Sequence, residues 1–240
     1  METTNSNNAF ISNTRAGDNY SKGWNVSFTL FVELIVVTLA YAVIQIPTNM
    51  IQIKGDGFEL WMIPLAMLGM AYGVFIAGPI GMSADWVFLK AVRREKIEIK
   101  DMFSVFERNY WNAVLASLIK TIIIVFGILM LIVPGIIFAC RLAFVNYLIV
   151  DEKMEALEAL KTSWAMTKGH GWTIFGMFWL AIPIVIAGLI CFFFGVFISA
   201  MWITASFAVL YHAVYVKKGI PPTNGTVAQV PVETDSPVAD

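Results

Sequence analysis

From Asn112 to Val150 the chain runs for 39 residues with only two charges, Lys120 and Arg141, and Pro134-Gly135 divides the run near its middle. A bilayer core about 30 Å thick takes roughly 20 helical residues to cross, so this length holds two crossings. Proline lacks the N–H that a helix interior uses, and glycine tolerates the backbone angles of a helix end. Pro134-Gly135 is therefore the predicted turn of a membrane hairpin.

The rest of the chain agrees with lipid as its main solvent. Of its 240 residues 58% are hydrophobic and 14% charged, against roughly 45–50% and about 25% in soluble domains. A net charge of -1 leaves no basic footprint, so nucleic acid is not an expected partner. Cys140 and Cys191 both lie in apolar runs and read as small packing residues. There is no CxxC, no HExxH and no His/Cys cluster, so neither a metal nor a cofactor is expected.

The pattern predicts an all-α fold: a polytopic transmembrane helix bundle of six spans with cytoplasmic interfacial amphipathic helices. The spans fall near residues 26–46, stopping at Pro47; 60–83, continuing as helix toward Arg94; the two arms of the hairpin; 172–194; and 196–216, with Gly195 at the turn. Residues 1–24, polar and rich in Asn, Ser and Thr, and residues 217–240, with four prolines, are predicted disordered tails around a membrane domain of residues 25–216. The first apolar stretch begins near Val26 and is long enough to span, so it is expected to stay as a helix rather than be cleaved as a signal. With both termini cytoplasmic, thirteen Lys and Arg fall on the cytoplasmic side and only Lys54, in the loop around residues 54–57, on the other. That bias sets the expected orientation.

Two cytoplasmic segments have helical periodicity. In residues 151–168, Met154, Leu157, Leu160 and Trp164 recur at steps of three and four, which predicts a helix lying at the headgroups or plugging the bundle. Asp101 is placed to cap a shorter helix with Met102, Val105, Phe106 and Tyr110 along one side. In the second span Gly69, Gly73, Ala77 and Gly81 form a ladder at intervals of four, flanked by Pro64 and Pro79, where another helix or a second copy of the chain can approach closely.

Ionisable groups inside spans are expensive and tend to face the bundle interior. Glu33, Lys120 and Arg141 come out at similar depths, roughly 10–14 Å from the cytoplasmic edge at 1.5 Å per residue. They form either a candidate intramembrane polar cluster, in which Glu33 balances Lys120 or Arg141, or separate snorkelling groups. Asp85, Asn146 and Gln45 read as single polar groups satisfying neighbours. His170 reads as a solvated loop residue, and no nucleophile and base can be paired. No catalytic residue is assigned.

Pro134 to Ile137, the Asp151-Glu152 pair, Glu158 to Trp164 and the Lys168 to His170 turn follow one another in a fixed order. This stretch resembles the signature of uncharacterised bacterial six-helix membrane proteins, among them the glycerophosphoryl diester phosphodiesterase membrane-domain family. The resemblance covers about residues 78–216 and implies a bacterial inner-membrane protein. It does not bring the phosphodiesterase activity, because no acid/base residue or metal ligand of such a barrel maps onto this chain. The expected function is a non-catalytic membrane-embedded module in envelope or lipid-related processes, with the bilayer and a protein partner or second copy as its partners. The alternatives are a small secondary transporter or exporter and, third, a lipid-modifying enzyme. For transport speaks a faint likeness between residues 63–69 and 182–188, as an inverted repeat would leave.

Overall fold

The computed structural model describes residues 15–52, 63–190 and 192–218, all of them helix or the short connections between helices. The chain forms α1 (Ala16–Thr29), α2 (Phe31–Gln52), α3 (Ile63–Tyr72), a π-helical turn (Gly73–Ala77) and α4 (Gly78–Val92). A 3-10 turn (Ile99–Phe103) and α5 (Ser104–Arg108) lead to α6 (Tyr110–Met130), α7 (Ile132–Arg141) and α8 (Val145–Asp151). The described residues end with α9 (Ala156–Thr167), α10 (Gly171–Ile190) and α11 (Phe192–Lys218). The loop around Lys54, Cys191, residues 1–14 and residues 219–240 lie outside the described residues.

Among the described residues, five helices are long and apolar enough to cross a membrane: Met67–Val92, Tyr110–Met130, Val133–Asp151, Gly171–Ile190 and Gly195–Val216. The first predicted span is different. α1 and the Phe31–Pro47 part of α2 pass that test only together, and they meet at 98°. Residues 16–24, expected in a tail, are helical and packed: Tyr20 Oη donates to the Met177 carbonyl at 2.9 Å, and Trp202 Nε1 donates to the Tyr20 carbonyl at 2.8 Å. Large apolar side chains cover the outside of the bundle. Trp172, Leu129 and Ile190 are 86%, 79% and 77% exposed, which suits a multi-pass membrane protein whose outer solvent is lipid.

α4 is the hub. Eleven of its fifteen residues are buried, and it touches α2, α6, α8, α11 and the 3-10 turn. The π turn that precedes it has a local cause. Pro79 has no N–H to give to the Phe75 carbonyl four residues back, and Tyr110 Oη takes that acceptor at 3.0 Å instead. Pro47 does not stop its helix: α2 runs on to Gln52, and nearby Tyr72 Oη donates to the Ile44 carbonyl at 2.8 Å.

The hairpin turns at Leu131, whose backbone is extended, not at Pro134-Gly135. Pro134 sits in the first turn of α7, where helix N–H groups have no intrahelical partner and its missing donor is harmless. Gly135 serves close packing. A Cβ there would strike Ile128 Cγ1 and stand 2.8 Å from the Ile128 backbone nitrogen. Gly195 is also not a turn but lies inside α11, close enough that a Cβ on Gly188 would come within 2.7 Å of its carbonyl oxygen.

Of the expected stripe, Met154 and Leu160 are buried, but the inward face of α9 is turned from the rest of it. Ala156, Ala159, Leu160, Ser163, Met166 and Thr167 point inward, while Leu157 and Trp164 are exposed at 59% and 43%. The reason is the break between α7 and α8, where Ser163 Oγ donates to the Arg141 carbonyl (2.9 Å) and accepts from the Phe144 N–H (3.3 Å). Asp101 is not the N-cap expected: Glu98 is, at the start of a 3-10 helix, and Asp101, three residues on, accepts from the Glu98 N–H at 2.8 Å in a capping box. Of the side expected beyond it, Met102 and Val105 are buried and Phe106 is exposed.

Close approach at glycine gives a test. Gly135→Ala, against Ile128, and Gly23→Ala, 2.8 Å from the Ser206 nitrogen, force backbone apart and are expected to lose about 1–3 kcal/mol each. Gly73→Ala meets nothing within 4 Å and leaves stability unchanged. Thermal unfolding in detergent micelles measures all three.

Candidate functional site

Between α2, α4, α6, α8 and α11 lies a cavity of about 860 Å³. Asp85 on α4, Lys120 on α6 and Asn146 on α8 line it and are joined in a chain. Lys120 Nζ donates to Asn146 Oδ1 at 2.8 Å, and Asn146 Nδ2 donates to Asp85 Oδ2 at 2.8 Å. No ion pair closes directly between Asp85 and Lys120; the amide stands between them. Each keeps some accessible surface, and that surface opens on the cavity. Around them the lining is mainly apolar, with hydroxyls from Thr38, Tyr41, Ser117, Thr121 and Thr204.

The helix breaks make this arrangement. Asn146 is the second residue of α8, and the turn at residues 142–144, held by Ser163, re-aims the chain so that Asn146 faces α4 and α6. The π turn does the same for the glycine ladder. Gly78 N–H bonds to the Gly73 carbonyl, an i to i+5 step. Gly78, rather than Ala77, therefore continues the line, and Gly69, Gly73, Gly78 and Gly81 all face the cavity while Ala77 does not. The expected helix-packing ladder is here largely a wall without side chains. Only part of it packs: a Cβ on Gly81 would lie 2.9 Å from Tyr41 Oη, and one on Gly78 3.1 Å from Ser117 Oγ.

A second polar assembly closes the bundle where α4, α8 and α11 end. Arg93 Nη1 and Nη2 donate to both carboxylate oxygens of Asp151, at 2.7 and 2.6 Å, a bidentate pair with side chains only 11% and 4% exposed. Tyr211 Oη donates to Asp151 Oδ2 (3.0 Å), and Tyr215 Oη donates to Glu152 Oε1 (2.6 Å). The guanidinium also stands 5.8 and 5.9 Å from the Trp86 and Tyr215 ring centres. Burial alone would pull the Arg93 pKa down, but the bond and charge of Asp151 outweigh it and raise it, so the guanidinium stays charged. Nearby, Lys90 pairs with Asp101 at 2.7 Å and ties the 3-10 turn to α4.

Of the three charges read as one cluster or as separate snorkelling groups, the structure brings none together. Glu33 lies in the first turn of α2 and is exposed, because the bend at Leu30 starts a new helix there and places its carboxylate at a helix N-terminus. Lys120 reaches the cavity, with Asp85 rather than Glu33 as its carboxylate. Arg141 stands apart, 5.6 Å from the Trp164 ring centre. Asp85 and Asn146 were legible as polar residues inside spans, the signal that singled out Lys120. The pairing of Arg93 with Asp151 had no sequence signal, since 58 residues separate them.

Removing one partner of a buried bidentate pair leaves an uncompensated charge. Asp151→Ala is expected to lose about 3–5 kcal/mol of stability, and Tyr215→Phe about 1 kcal/mol. Glu98→Gln, in the exposed pairs with Lys96 and Lys100, leaves the thermal midpoint unchanged.

No curated protein and no solved structure matches the chain. One family model does, over residues 102–232, just over half of the chain and including Lys120, Asn146 and the Asp151-Glu152 pair. The chain belongs to that family, the Domain of unknown function (DUF7847).

Proposed function

We propose that the protein is a non-catalytic carrier of the bacterial cytoplasmic membrane that takes a small polar solute into its intramembrane cavity, as a secondary transporter or exporter does. The observation that carries this reading is the cavity itself, with a carboxylate and an ammonium held apart on its wall inside the bilayer. A bundle built only to pack would fill that volume or pair the charges directly.

The axis of the cavity supports a direction. Asp85 and Phe88 lie toward the α4 end that Arg93 and Asp151 close, while Gly69, Gly73 and Ala200 lie toward the other end of their helices. With both termini cytoplasmic, as the distribution of basic residues favours, the closed end faces the cytoplasm and the cavity opens to the outside. In this reading α1 and α2 form the sixth, bent crossing. α5 and α9 then sit at the cytoplasmic headgroups.

A second reading keeps the chain as a membrane-embedded module or partner protein in envelope or lipid-related processes. It draws on the resemblance to the glycerophosphoryl diester phosphodiesterase membrane domain and on the exposed Phe103, Phe106, Leu157 and Trp164 of the cytoplasmic segments.

Cysteine accessibility separates the two. In a Cys140→Ser/Cys191→Ser background, Gly73→Cys and Thr204→Cys are treated with a membrane-impermeant thiosulfonate ammonium reagent in spheroplasts and in inside-out vesicles. The carrier reading expects both to react from the outside only. If neither reacts from either side although denatured protein does, the cavity is closed to solutes and the module reading stands.

A further inference from the structure

The wall of the cavity also specifies a ligand class, and this step rests on the carrier reading. Asn146 presents an acceptor to Lys120 and a donor to Asp85, 2.8 Å each way. Lys120 has three N–H donors and gives one to Asn146. Asp85 has two carboxylate oxygens, and only Oδ2 accepts from Asn146. The remaining hydrogen-bonding capacity of both groups is directed at the cavity they line.

Single charges fit this wall poorly. An anion beside Lys120 would also lie one amide away from the Asp85 carboxylate, and a cation beside Asp85 would meet the Lys120 ammonium in the same way, in surroundings that screen little. A molecule carrying both charges a few bonds apart avoids both repulsions and repeats, with full charges, the acceptor and donor order that Asn146 already shows. We propose that the cavity binds a small zwitterion, its carboxylate or phosphate on Lys120 Nζ and its ammonium on Asp85, with Val37, Met82 and Phe88 against an apolar remainder. An amino acid and the headgroup of phosphatidylethanolamine share this chemistry.

The test is protection of Thr204→Cys from the thiosulfonate reagent, in vesicles of phosphatidylglycerol. L-leucine is compared with its two halves, 4-methylpentanoate, which lacks the ammonium, and 3-methylbutylamine, which lacks the carboxylate; O-phosphoethanolamine is the phosphate counterpart. A lipid source is probed by replacing part of the phosphatidylglycerol with phosphatidylethanolamine. One of the zwitterions is expected to slow labelling at concentrations about tenfold or more below either half-molecule, each lost charge-assisted bond being worth at least that factor. Protection by soluble zwitterion points to a free solute, and protection by phosphatidylethanolamine alone to a headgroup. Asp85→Asn should make leucine and 4-methylpentanoate equivalent, and Lys120→Gln should do so for leucine and 3-methylbutylamine. The exchanged pair Asp85→Lys/Lys120→Asp keeps the charges balanced and should retain protection by leucine. If Thr204→Cys reacts but all compounds and lipids leave its rate alike, or a half-molecule protects as well as the zwitterions, the zwitterion assignment is wrong and the carrier reading survives. If Thr204→Cys never reacts, both fall together.

Discussion

Inside a bilayer no water is available for an unpaired backbone group, so a helix can break only where something else takes up the N–H and C=O groups it releases. That constraint organises this bundle. The break between α7 and α8 stands because Ser163 serves both the Arg141 carbonyl and the Phe144 N–H, and Thr167 adds a longer contact of 3.3 Å to the same carbonyl. The π turn stands because Tyr110 takes the Phe75 acceptor that Pro79 abandons. Both breaks border the cavity, one by aiming Asn146 and the other by lining up four glycines, so the polar site is a product of how interrupted helices are repaired.

The charges follow a related rule. A buried ionised group needs a partner close at hand or enough polar surroundings to replace water. Arg93 and Asp151 meet the first condition fully, with two direct bonds and tyrosine hydroxyls beside them. Asp85 and Lys120 meet it only through a neutral amide, which leaves each with unused hydrogen-bonding capacity. The contrast falls along one helix, since Asp85 and Arg93 are eight residues apart on and just after α4, about 12 Å at 1.5 Å per residue. One end of α4 is sealed by a satisfied pair. The middle carries two charges bridged only by an amide, at the place where the bundle is hollow.

How much of this could be read from the sequence depends on the range of each interaction. The apolar runs fixed which segments enter lipid, because hydropathy is a local property, and five of the six expected crossings appear as helices of sufficient length. Local rules failed at particular positions. Pro47 was expected to stop a helix that runs on to Gln52, and Pro134-Gly135 was expected to turn a hairpin that turns at Leu131. The α9 stripe was placed by hydrophobicity, and Met154 and Leu160 are buried as expected, but two hydroxyls needed at another helix's break share the inward face while Leu157 and Trp164 are left exposed. Glu33, Lys120 and Arg141 were grouped by counting depth along straight helices, and the bend at Leu30 removed the basis of that count for Glu33.

The Asp151-Glu152 pair shows what one conspicuous motif of the sequence holds together. Asp151 holds Arg93 and accepts from Tyr211, while Glu152 accepts from Tyr215, so the two carboxylates join the ends of α4, α8 and α11. Ser163, within the other conspicuous motif, repairs the break that positions Asn146. Both motifs therefore act on the cavity from outside it: one closes the end where three of its wall helices converge, and the other sets the angle of a residue on its wall. In the carrier reading, a change in either would alter what the cavity holds without touching a ligand. The residues that would touch one, Asp85, Lys120 and Asn146, come from three separate helices and form no run in the sequence.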